Sequence, residues 1–179
     1  MQLSNNNVET FSIKELLETL SLFDKKLNKK ILLIAVGETA MVLLNIRDST
    51  DDMDFNIPSM YDFEEFNLVK NKINLDIKID SWFSNMIFSE VLPDDYIDLT
   101  SEYNNNFNKI DLRVLAPIDI ACSKISRLSD LDLEDIISCI KYGKITKSDL
   151  TDRANQYSRV GNDQIFEENL KYVIKTCFK

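Results

Sequence analysis

The chain contains no histidine. Ser-His-Asp and Cys-His nucleophilic centres and imidazole-based zinc sites are therefore excluded, and acid-base or metal chemistry falls to carboxylates, lysine or tyrosine. Cysteine is scarce: Cys122, Cys139 and Cys177 are an odd number, lack a close CxxC partner and stand in apolar helical patterns. They read as reduced core residues. No apolar run approaches the roughly 18 to 20 residues of a membrane span. The start MQLSNNNVETF has neither a basic stretch nor an apolar one of the signal-peptide kind. The expectation is a cytoplasmic protein, neither secreted nor in contact with a membrane. Basic charge is also short. Against 30 Asp and Glu stand 21 Lys and Arg, a net charge of -9, which argues against a surface that grips nucleic acid throughout and leaves room only for a local basic groove. With three glycines and three prolines in 179 residues there is no Gly/Pro-rich linker, and no internal repeat is evident.

What remains is the composition of a folded protein, 44% hydrophobic and 28% charged, with material for one core. Ser12 precedes Glu15 at capping-box spacing, and Ile13, Leu16, Leu17, Leu20 and Leu27 share a helical face, which predicts a helix over 12–27. Ile31 to Val36 is a continuous apolar run that suits a doubly buried strand, closed by Gly37. Residues 39–46 read as a short helix. Asp52 to Ile57 alternates with period two, placing Asp52, Asp54 and Asn56 on one face.

A helix over 61–71 and a second alternating strand over 75–80 follow, the latter with Asp76, Lys78 and Asp80 on its polar face. Residues 96–103 and 109–115, separated by three asparagines, predict a hairpin, and Pro117 ends it and opens a helix. From Ile118 the pattern is helical to the end: 118–128, 131–142 stopped by Gly143, 148–157, and 165–177 after a Gly161-Asn162 turn. The fold class expected is α+β: an α/β core over 1–116 with a mixed sheet flanked by helices, and a helical part over 117–179 packed on the same core.

Chemistry concentrates at few places. Gly37 lies between a buried strand and a helix, where a residue without Cβ lets backbone approach a phosphate. Asp52 and Asp54 lie about 7 Å apart along a strand face, close enough to converge on one or two hard cations. A third carboxylate is expected from the next strand to accept a proton from an attacking group. Asp80 is preferred: if that strand runs antiparallel to 52–57, its C-terminal end lies near Asp52, whereas a parallel arrangement would favour Asp76. Lys124 and Arg127 lie three apart on a helical face, as do Asp132 and Asp135. They form either a surface charge lattice or a means of bringing Lys124 to a triphosphate.

Val36-Gly37-Glu38-Thr39-Ala40, followed after limited spacing by Arg47-x-x-Thr50-x-Asp52-Met53-Asp54-Phe55, resembles the nucleotidyltransferase superfamily. The R-x-x-T-x-D-x-D-F form, with Lys124, Arg127, Asp132 and Asp135 further on, looks like its AbiEii-type branch, known from toxin-antitoxin pairs. The resemblance spans about residues 30–140. It implies Mg²⁺-dependent transfer of a nucleotidyl group from a nucleoside triphosphate to an acceptor hydroxyl, Mn²⁺ being able to substitute. By that likeness Asp52, Asp54 and Asp80 hold the metal and carry catalysis, while Gly37, Glu38, Thr39 and Lys124 form the nucleotide site. The acceptor would be tRNA or a protein, and a cognate antitoxin would be a partner. The alternative is a catalytically degenerate nucleotide-binding or protein-interaction module on the same fold. It is suggested by Glu38, which stands where the family has Gly or Ser, with Thr39 the substitute hydroxyl.

Overall fold

The computed structural model describes residues 10–159, 161 and 163–178. Along the chain they form α1 (Ile13–Lys26), β1 (Ile31–Ala35), α2 (Gly37–Leu43), β2 (Met53–Ile57), α3 (Met60–Ile73), β3 (Ile79–Phe83), β4 (Met86–Ile87), β5 (Glu90–Val91), β6 (Ser101–Glu102), β7 (Ile110–Val114), α4 (Pro117–Lys124), α5 (Asp130–Gly143), α6 (Lys147–Ala154), β8 (Ser158–Arg159) and α7 (Asp163–Cys177). The fold is α+β. A mixed five-stranded sheet has the order β3-β2-β1-β7-β6, and a small second sheet the order β4-β5-β8. No helix among the described residues is long and apolar enough to cross a membrane.

The sheet is built outward from β1. Its apolar side chains are buried except for the half-buried Leu32, and it pairs parallel with β7 and antiparallel with β2. Helix α3 carries the chain back from β2 so that β3 adds parallel to it, with Asp54 opposite Asp80, as a helical crossover between neighbouring strands requires. On one side Phe23 of α1 stacks on Phe66 of α3 with ring centroids 4.9 Å apart, and Phe66 meets Phe55 of β2 edge-on. One cluster of buried side chains continues from this face through α4, α5 and α6 to Phe166 and Val173 of α7.

Local chemistry sets several boundaries. The Ser12 N–H donates to Glu15 Oε2 at 2.9 Å, closing the capping box of α1. The buried Asp24 carboxylate accepts from the backbone N–H groups of Asn108, Lys109 and Ile110, tying α1 to the start of β7. Pro117 occupies the first turn of α4, where its missing N–H costs nothing.

Four expectations are corrected. The strand expected over 75–80 begins at Ile79 and runs on to Phe83, because Leu75 and Ile77 are used to cover the core from a loop. The hairpin arm expected from Tyr96 shrinks to Ser101–Glu102, and Tyr96 is instead buried with its hydroxyl donating to Asn56 Oδ1. Helix α5 includes Gly143, and Lys144 takes the left-handed cap. The second half is not wholly helical, since β8 pairs with β5. Of the turn expected before α7, Asn162 lies outside the described residues, as do residues 1–9.

Candidate metal and nucleotide site

Strands β2 and β3 present the site as neighbours. Asp52 sits just before β2, Asp54 within it and Asp80 on β3, and one oxygen from each lies within 4.8 Å of the others. The carboxylate that lies beside Asp52 and Asp54 is Asp80, although the strands run parallel. The orientation argument that tied Asp80 to an antiparallel pair is overturned by the later start of β3, which brings Asp80 into register with Asp54 and leaves Asp76 exposed in the preceding loop.

Asp54 is the strained member. It is 4% exposed, and its Oδ1 is buried without a hydrogen-bond partner. Burial, then the charges of Asp52 and Asp80, push its carboxyl up to about 7. An unpaired buried carboxylate oxygen is costly. Gly37 makes room for it: with φ of +55°, a Cβ at residue 37 would stand 3.1 Å from Asp54 Oδ2. In this structure the glycine thus answers a close approach of side chain to backbone as well as a left-handed φ.

Lys78 completes the cluster. Its Nζ lies 2.7 Å from Asp52 Oδ2 and 3.2 Å from Asp80 Oδ2, and the hydrogen bond to Asp52 is the main reason its ammonium is held protonated more firmly than usual.

Around this cluster the charged side chains alternate in sign. Glu38 pairs with Arg47 at 3.2 Å, and Arg47 with Asp135 at 3.1 Å. Asp135 pairs with Lys124 at 2.8 Å, Lys124 with Asp132 at 3.4 Å, and Asp132 with Arg127 at 2.9 Å. Glu38 is therefore turned to Arg47, although burial still raises its carboxyl pKa. Lys124 is 2% exposed, so the lattice reading holds for the partners but not for the surface. Its ammonium is taken up by the two aspartates, and the cations open to solvent on the rim are Lys78, 64% exposed, and Arg127, 47% exposed. Thr39 does not offer its hydroxyl to a ligand. It is fully buried, accepts from the Asp54 N–H at 2.8 Å and donates to the Asp52 carbonyl, fastening α2 to β2.

A cavity of about 190 Å³ opens over the cluster, lined by Gly37, Glu38, Asp52, Asp54, Asp80 and Lys124 among others. Small-molecule sites commonly run from about 300 to 1,000 Å³. The space is smaller than that and suits a cation with a few small polar groups.

Three participants were missed in the sequence. Lys78 was visible two residues before Asp80, on the same polar face, but its ion pairs depend on the register. Arg47 stood in the motif without a role. Phe88, at the tip of the β4–β5 hairpin with φ of +53°, lines the cavity and carries the Arg127 guanidinium 4.7 Å above its ring. No local pattern signals it.

A mixed sheet with flanking helices and three carboxylates gathered beside a glycine turn define a nucleotidyltransferase-like protein. The model of the family described as "Nucleotidyltransferase of unknown function (DUF6036)" matches residues 10–175, and the chain belongs to that family. No curated protein and no solved structure matches the chain. The match supports the superfamily and does not reach the AbiEii-type branch.

Proposed function

We propose that the protein transfers a nucleotidyl group from a nucleoside triphosphate to an acceptor hydroxyl, using a divalent metal held by Asp52, Asp54 and Asp80. The observation that carries this reading is the convergence of the three carboxylates within 4.8 Å, with a buried Asp54 oxygen left unpaired. Such an arrangement fits Mg²⁺ or Mn²⁺, since hard cations take carboxylate oxygens and would supply the charge that the crowded anions lack. When bound, the metal would neutralise phosphate oxygens and favour the in-line displacement.

The chain's own groups have separate tasks. Asp80, 43% exposed at the rim, accepts the proton of the acceptor hydroxyl as that oxygen bonds to the α-phosphorus. The bond from the α-phosphorus to its bridging oxygen breaks, and pyrophosphate leaves with the electron pair. Arg127 neutralises phosphate charge from the rim, and Lys124, by binding Asp132 and Asp135, holds α4 and α5 in place behind it. Gly37 keeps the floor open beside Asp54.

The resemblance to the AbiEii-type branch suggests tRNA or a protein as acceptor and a toxin role with a cognate antitoxin. Nothing in the charge distribution adds to that. Glu38 at the turn favours a second reading, a nucleotide-binding module without turnover. Isothermal titration with ATP, GTP, CTP and UTP in Mg²⁺, with pyrophosphate release followed in the presence of total tRNA, separates the readings. Transfer predicts binding and release by wild type and neither by Asp54→Asn. Binding without release would favour the module, and no binding at all would leave only a scaffold.

A further inference from the structure

The triad already has a cation. Among the described residues its only ion pairs are those of Lys78, which bridges Asp52 and Asp80, while Asp54 has none. The position is fixed by the backbone: the Met53 N–H donates to the Lys78 carbonyl at 3.0 Å, which continues the parallel register that sets Asp54 opposite Asp80 and brings Lys78 beside Asp52. The side chain is 64% exposed, so little packing opposes its leaving the aspartates.

An ammonium 2.7 Å from Asp52 Oδ2 uses lone pairs that a metal needs, and Mg²⁺ needs its ligand oxygens at about 2.0 to 2.1 Å. A metal on the same carboxylates would stand against the ammonium with like charge, so the two cations compete for them. The other basic groups on the cavity are engaged elsewhere, Lys124 with Asp132 and Asp135 and Arg127 with Asp132.

We propose that Lys78 is the resident counter-ion of the triad, displaced when a divalent metal enters and then turned to the phosphates that arrive with it, so that the site loads with a metal-triphosphate complex in preference to bare metal. The inference rests on the metal reading above and adds an order to it. Before loading, Lys78 offsets the repulsion between Asp52 and Asp80 and makes the carboxylates poor ligands for stray cations. After loading, a triphosphate restores to the ammonium the anionic partners it lost. A bare metal offers no such replacement.

An exposed ion pair is weak, so the competition is modest. Titration calorimetry with Mn²⁺ alone, needing no turnover, is expected to show Lys78→Met binding roughly three- to tenfold more tightly than wild type. Arg127→Met removes a like charge from the same rim without touching the triad, and is expected to change Mn²⁺ affinity less. With a non-hydrolysable triphosphate analogue present, wild type gains Mn²⁺ affinity and Lys78→Met gains much less, while Lys78→Arg keeps the coupling. The proposal is overturned if Lys78→Met binds Mn²⁺ no more tightly than wild type, if Arg127→Met produces the same increase, or if the analogue helps both proteins equally. Equal Mn²⁺ binding by wild type and Lys78→Met would leave the metal reading standing without the switch. No Mn²⁺ binding by either would remove both.

Discussion

Asp54 shows most directly how folding and function pull apart at one residue. Its carboxyl titrates near 7 in the folded protein against an ordinary 3.8, so between these values the folded state holds a proton that the unfolded chain has released. The contribution of this one group to stability is therefore fullest below about 3.8 and falls as pH rises towards 7. Asp54→Asn removes the penalty. At pH 8 without divalent metal it should melt several degrees (~5 °C) above wild type, and the gap should narrow as the pH falls towards 4 or as Mg²⁺ is added to wild type. A scanning fluorimetry series across pH and Mg²⁺ checks this. A variant that melts below wild type at pH 8 would show that Asp54 is a structural residue.

The elements behind the site are held by charge rather than by apolar packing alone. Lys124 joins α4 to α5 through Asp132 and Asp135, and Arg47 joins Asp135 to the turn residue Glu38. Replacing Lys124 by Met leaves two buried aspartates short of a partner, a change expected to cost on the order of 3 kcal/mol in urea unfolding. A loss below about 1 kcal/mol would mean that Arg47 and Arg127 suffice. At this scale the sequence was informative where an element spans a whole period. The alternation of Asp52 and Asp54, the apolar run of β1 and the capping box of α1 are local patterns, and each element formed. The second sheet was illegible because β4, β5 and β8 are two residues each, too short to show any period. The start of β3 was missed because Leu75 and Ile77 continue the alternation while packing from a loop.

In the whole molecule the site exists only because the topology brings distant segments together. The helix expected between 52–57 and 75–80 was itself the sign of a parallel pair, since neighbouring strands joined by a helix cross over in the same direction. The carboxylate chosen was Asp80 even so, for the register supplied what the assumed direction did not. Lys78 and Phe88 could not be assigned beforehand, because their meaning comes from Asp52 across the strand pair and from Gly37 across the cavity. The family match over residues 10–175 agrees with the superfamily read from the motifs and leaves nucleotide and acceptor to experiment. The most direct measurement is anomalous diffraction from crystals soaked with Mn²⁺ and a non-hydrolysable triphosphate. The account predicts a peak coordinated by Asp52, Asp54 and Asp80, with Lys78 withdrawn from its two aspartates. Mn²⁺ bound elsewhere, or triphosphate bound with Lys78 still bridging and no metal on Asp54, would contradict it.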